Sequence, residues 1–222
     1  MYPYNYKRGH TIQTDAPGIV ADRGFIANLT WTAAQTVAAD ADGIFDGIAA
    51  GDLTATPAGT AVTKTPASAE FVHQPPCARN VTVTVAATTA GHVKAAAIVV
   101  TGTNIADEEI SESFTPTADT PATLVGAIAF KTITSVEVPA QDGASVTVDV
   151  GFGQLIGLPY KLDKKRVLLT LNDGVVDTAP ALTISTDYIE ENTVDFNGSL
   201  DGSAMDMSLI VQKNAEPASP NT

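Results

Sequence analysis

The feature that most constrains this chain is alternation with a period of two. Val81, Val83 and Val85 alternate with Thr82 and Thr84, and Val146, Val148 and Val150 alternate with Ser145, Thr147 and Asp149. Successive side chains of a strand point to opposite faces, so such runs build strands with one buried face. Residues 25–33 do the same, setting Phe25, Ala27, Leu29, Trp31 and Ala33 against Ile26, Asn28, Thr30 and Thr32. No stretch sustains the apolar stripe of a helix. The alternation of strands and helices that most nucleotide-binding enzymes need is therefore absent.

Further strands follow the same logic. Residues 94–101 are apolar on both parities, which fits a central sandwich strand. In the short strand 110–115, Glu112 shares the parity of Ile110 and Phe114, and a charge there predicts an edge position or a bulge. Ile128, Phe130, Val136 and Val138 share a parity while Ile133 is out of phase, which predicts a bend near Thr132. Residues 167–171, Asn172-Asp173-Gly174, then Val175 and Val176 read as a tight hairpin, because Asp-Gly supplies the positive φ that the turn needs. Residues 182–188, 194–196 and 205–211 complete the set.

Residues 33–42 read either as a short helix or as a strand continuation. The region 43–76 is interrupted by Gly47, Gly51, Pro57, Gly59, Pro66, Pro75 and Pro76. It leaves short strands near 53–56 and 60–65, joined by a Pro57-Ala58-Gly59 turn. Turn signals recur about every eight to twelve residues, the spacing of sandwiches and barrels. The expected fold is all-β: a β-sandwich of immunoglobulin-like or jelly-roll-like kind with an extended N-terminal arm. The expected organisation is an arm over 1–24, an N-terminal β/loop region over 25–78, a main β-sandwich domain over 79–212 and a flexible tail over 213–222.

Composition narrows the function. With 222 residues, 44% of them hydrophobic, the chain can bury a core. Twelve Lys and Arg against 25 Asp and Glu give a net charge of −13. Phosphate backbones and anionic lipid repel such a chain, which argues against nucleic-acid and membrane-surface binding. Cys77 is the one cysteine, so the chain forms no internal disulfide and no cysteine-based zinc site; it reads as a small buried apolar residue. No run of about 18 apolar residues is present to span a membrane as a helix. The N-terminal Met1-Tyr2-Pro3-Tyr4-Asn5-Tyr6-Lys7-Arg8 has no apolar run after its basic pair, so the expectation is synthesis in the cytoplasm without export.

A search for chemistry yields no catalytic, cofactor or metal site. Gly151-Phe152-Gly153-Gln154-Leu155-Ile156-Gly157 has the outline of a dinucleotide loop, but its third glycine comes one position late. Leu158-Pro159 also prevents a helix from opening to hold a pyrophosphate, so the run reads as a strand that bends and leaves the sheet. Asp40, Asp42 and Asp46 lack the late Glu that closes a calcium loop. Asp107-Glu108-Glu109 and Glu190-Glu191 read as solvated loop charges, and an exposed acidic face also suits a basic partner. His10, His73 and His92 are scattered, and no serine sits in a nucleophile elbow. Paired carboxylates from distant strands stay open. Three sites of glycosylation spacing, at Asn28, Asn80 and Asn197, read as chance in a Thr-rich chain.

Two segments are candidates for partner binding. Tyr2, Tyr4 and Tyr6, followed by Lys7 and Arg8, form either an arm laid on a neighbouring subunit or a frayed terminus with incidental aromatics. Lys161, Lys164, Lys165 and Arg166 place four of the twelve cations within six residues. A positive patch on an acidic body suits head-to-tail packing between copies or against an acidic neighbour; the same run also reads as a solvated loop.

Between residues 81 and 162 the chain also carries a recognisable set of strand and turn words. They are Val99-Val100-Thr101-Gly102-Thr103-Asn104, Glu109-Ile110-Ser111-Glu112-Ser113, Ala129-Phe130-Lys131-Thr132-Ile133-Thr134-Ser135-Val136 and the run from Gly151 through Leu158-Pro159-Tyr160-Lys161-Leu162. This pattern resembles virion structural proteins of tailed bacteriophages. The resemblance implies a non-enzymatic particle component, and among these a capsid decoration (cement) protein on the outer head surface. Its implied partners are the major capsid protein and copies of itself, with a trimer as one arrangement that symmetry allows. It implies no cofactor. The competing expectations are a tail-tube or other tail component, a surface adhesion module, and a carbohydrate-active enzyme on a β scaffold, against which the 6% aromatic content counts.

Overall fold

The computed structural model describes residues 24–212, together with the backbone of β1 (Ile12–Gln13) and β2 (Val20–Ala21), which pair antiparallel. The rest of the expected arm and the expected tail lie outside the described residues. The fold is all-β, as the alternation predicts. Among the described residues the one helical element is a single 3-10 turn, Ala90–His92.

The strands that follow are β3 (Gly24–Trp31), β4 (Asp40–Ala49), β5 (Val62–Lys64), β6 (Arg79–Ala87), β7 (Ile98–Thr103), β8 (Glu109–Phe114), β9 (Ala122–Phe130) and β10 (Thr132–Val138). Then come β11 (Val146–Gly157), β12 (Val167–Asn172), β13 (Val175–Val176), β14 (Ala181–Thr183), β15 (Thr193–Asp195) and β16 (Met205–Gln212). They form a sheet ordered β5-β10-β7-β8, a central sheet ordered β14-β15-β11-β6-β9, and a third sheet ordered β13-β12-β16-β3. β4 joins the central sheet through β11. All strand pairs are antiparallel. Strands from before residue 79 are thus built into the sheets of the rest, with β3 on β16 and β4 on β11.

The architecture is sandwich-like and has two cores strung along β11. The first packs Val146, Val148, Val150 and Phe152 of β11 with Ile44, Phe45 and Ile48 of β4, the valines of β6, and the inward faces of β7 and β10. The second packs Ile156 and Leu158 with Trp31, Val194, Phe196 and the four buried residues Met205, Met207, Leu209 and Val211 of β16. Burying this aliphatic surface drives the fold at roughly 25 cal/mol per Å2. Trp31 and Phe196 meet edge to face at 5.4 Å in the second core.

The hairpin β12–β13 has its tight turn at Asp173 (φ 47°) and Gly174 (φ 78°), as the sequence predicts. β8 lies at a sheet edge, as Glu112 predicts. The bend near Thr132 is present, with β9 ending at Phe130 and a register shift between Ile133 and Ser135.

Several segments differ from the sequence expectation. Residues 40–49 form one continuous strand, because Gly47 serves a bulge and not a chain break. At φ +67° it lets β4 skip one residue against β11, and its N–H donates to Asp149 Oδ1 at 2.7 Å. Residues 53–56 form turns, and of the pair expected around Pro57 only β5 forms. Residues 33–42 are neither a helix nor a continuation of β3; a turn separates β3 from β4. β7 starts only at Ile98 and alternates in burial, so it is not buried on both faces. Residues 182–188 hold strand only to Thr183.

Candidate functional site

The glycine run of β11 shows how local packing replaces apparent chemistry. β11 bends here but stays in the central sheet through Gly157, contrary to the expectation that it leaves. A Cβ on Gly151 would lie 1.8 Å from Asp40 O, one on Gly153 2.5 Å from Asn80 Oδ1, and one on Gly157 2.7 Å from Ala129 Cβ. Close approach of neighbours, and no phosphate cradle, accounts for these glycines.

The ladder to β6 skips from Phe152 to Ile156, which frees backbone groups inside the protein. The first two residues of β6 take them. Arg79, fully buried, donates from Nη2 to Gly153 O and from Nη1 to Val37 O at 2.7 Å, and lies over the Phe152 ring at 4.7 Å. Asn80 Oδ1 accepts from Leu155 N at 2.9 Å while its Nδ2 donates to Gly126 O at 2.9 Å. Asn80 is thus a buried staple and no glycosylation site. Burial lowers the Arg79 pKa to about 10, which leaves it charged at neutral pH. Burial likewise pushes the half-buried Cys77 thiol up to about 11, far from a reactive thiolate.

The acidic runs that look separate in sequence meet in space. Asn104 Nδ2 donates to Glu108 Oε2 at 3.0 Å and to Glu190 Oε2 at 3.1 Å, and Lys131 Nζ contacts Asp107 Oδ1 at 2.6 Å. At the start of β4, the Asp42 carboxyl is held above its ordinary value by its hydrogen bond to Asp40. Among the described residues, no three His, Cys, Asp or Glu side chains are grouped to hold a metal ion, and no helix is long and apolar enough to cross a membrane. An open groove of about 420 Å3 is lined by Gln154, Asp195, Asn197 and Ser199.

Among the described residues, the half-buried Glu112 is the one acid with a buried, unmatched oxygen. From edge strand β8 it turns inward, accepts from Ala127 N at 2.8 Å, and leaves Oε2 buried without a partner. An inward charge at a sheet edge discourages edge-to-edge pairing. Burial raises its pKa above the ordinary carboxylate value. A raised folded pKa contributes stability at low pH that is lost as pH rises through it. The stability gap between wild type and Glu112→Gln therefore moves in favour of wild type from about pH 7 to about pH 4 in urea titrations; an unchanged gap counts against this.

Of the candidate partner residues, Tyr2, Tyr4, Tyr6, Lys7 and Arg8 lie outside the described residues. The structure holds Lys161, Lys164, Lys165 and Arg166 on the loop joining β11 to β12. Asn192, missed in the sequence, organises that loop. Its Oδ1 accepts from Leu162 N and Ser185 N at 3.0 Å each, its Nδ2 donates to Ser185 O and Tyr188 O, and its backbone O accepts from Leu158 N. Lys161 Nζ donates to Asp187 O at 2.7 Å, whereas Lys165 and Arg166 are exposed.

The cations lead into the third sheet, which leaves several apolar side chains open to solvent among polar ones. On the outer side that the register defines, Ile26 is 60% exposed, Leu169 41% and Val176 72%. No protein-family model, no curated protein and no solved structure matches the chain.

Proposed function

We propose that this chain is a non-enzymatic particle component, a decoration protein that binds the outer surface of a phage head and bridges neighbouring capsid subunits. One observation carries the reading: an acidic body presents a sheet with exposed apolar side chains beside a cluster of cations, which suits contact with other protein surfaces. The buried polar side chains support it. Arg79, Asn80 and Asn192 are committed to the protein's own backbone, as befits a scaffold. In this role the major capsid protein and further copies of the chain are its partners, and the virion is its location. Repetition over a shell multiplies a modest contact, since each interface gains roughly 25 cal/mol per Å2 before the costs of association.

Mixing the purified chain with undecorated shells is the direct test. Binding at a fixed ratio and greater resistance of the shells to heat are expected; no binding removes the decoration role. Rings or tubes formed by the chain alone under negative stain would move it to the tail instead.

A further inference from the structure

The third sheet has a pattern on its outer face that exposure alone does not capture. Met205, Met207 and Leu209 of β16 point into the second core, so Asp206 and Ser208 between them point out. Register then defines three rows across the sheet. One row runs Leu171, Asp206, Thr30, and the next Leu169, Ser208, Asn28. The last row brings the loop to the sheet: Ile210 lies opposite Ile26, and its N–H donates to Arg166 O at 2.9 Å. Val167 packs inward, so alternation directs the exposed Arg166 outward. The face therefore has an acidic end at Asp206 and a basic end at Arg166, and between them a mixed row in which Leu169 lies beside Ser208 and Asn28, whose side chains are hydrogen-bonded to each other at 2.6 Å.

Such a face is complementary to itself. Rotation by a twofold axis across the strands lays the basic row of one copy over the acidic row of another and sets the Leu169-Ser208-Asn28 row of each against the same row of its partner. We propose that the outer face of the β13-β12-β16-β3 sheet is an isologous contact surface whose occupant is a second copy of this chain, with Arg166 of each copy set against Asp206 of the other. The inference deepens the self-association in the reading above, and it names a twofold contact distinct from a trimer contact.

The test is the mass of the full chain in solution, by light scattering coupled to gel filtration and by sedimentation. Twice the chain mass is expected at micromolar concentration. Leu169→Asp, at an exposed position, keeps the circular dichroism of wild type and runs as a monomer. Arg166→Glu and Asp206→Lys each weaken the dimer by about tenfold or more, and the double variant recovers most of the loss, because a twofold contact exchanges both partners at once. A monomeric wild type, a dimer untouched by Leu169→Asp, or a double variant no better than the singles overturns the proposal. So does a monomer that floats with phosphatidylglycerol vesicles through this face, since the occupant is then a lipid surface. A chain that dimerises this way but binds no shell defeats the decoration role alone; one that binds shells while remaining a monomer defeats this contact alone.

Discussion

Val148→Asp is expected to abolish stable folding. Val148 sits on β11 with Ile48 of β4 and Val85 of β6 as its lateral partners, and all three are buried in the first core. A carboxylate there has no cation or free donor to meet, so it is either buried unpaired or protonated at a cost. The penalty is about 5 kcal/mol, comparable to the whole stability of many domains. The control is Thr147→Asp. Thr147 is the next residue along and faces the other side of the sheet, where Asp149 already resides. That change costs about 1 kcal/mol or less, as substitutions away from cores do. Thermal melts and the soluble yield of the two variants give the answer. Similar behaviour of both would mean that the two faces of β11 are not distinguished as described.

This contrast rests on the part of the fold that was legible in sequence. Alternating valines specify which face is buried because the side-chain period of a strand is fixed, so β6, β11 and the inward face of β3 could be read locally. The Asp173-Gly174 turn and the edge position of β8 were legible for the same reason, since each depends on neighbouring residues. β4 was hidden because a glycine that ends a strand and a glycine that bulges one look alike until the partner strand is known. Gly47 has its meaning only against Asp149, 102 residues later.

The polar framework was hidden for a related reason. Nothing next to Asn192 in the chain announces that it will receive Leu162 N, and nothing near Asn104 announces Glu190. Each joins segments far apart in sequence, so its role is set by tertiary packing. The basic loop was visible as a charge run, but its place beside the exposed apolar side chains of the third sheet was not. That juxtaposition depends on the order β13-β12-β16-β3, which puts the first long strand of the described chain beside the last.

Arg79→Ala tests that framework where the two cores meet. A buried cation without a carboxylate partner is costly by itself, and a buried ion is weak grounds for claiming stability. Arg79 has no ion-pair partner among the described residues, yet it is tied to two carbonyls and an aromatic face. Its removal leaves Gly153 O without its donor inside the bulge of β11 and opens a cavity beside Phe152. The two effects together cost about 4 kcal/mol. Arg79→Lys keeps the charge, but a single ammonium cannot bridge the Val37 and Gly153 carbonyls as the guanidinium fork does, so it recovers less than half of that loss. Urea titration measures the loss, and hydrogen exchange locates it. Faster exchange at the Leu155 amide, which the same bulge hands to Asn80, is expected in both variants. An Arg79→Ala protein within about 1 kcal/mol of wild type, with Leu155 still protected, would show that the bulge holds its shape through Asn80 and the glycines alone.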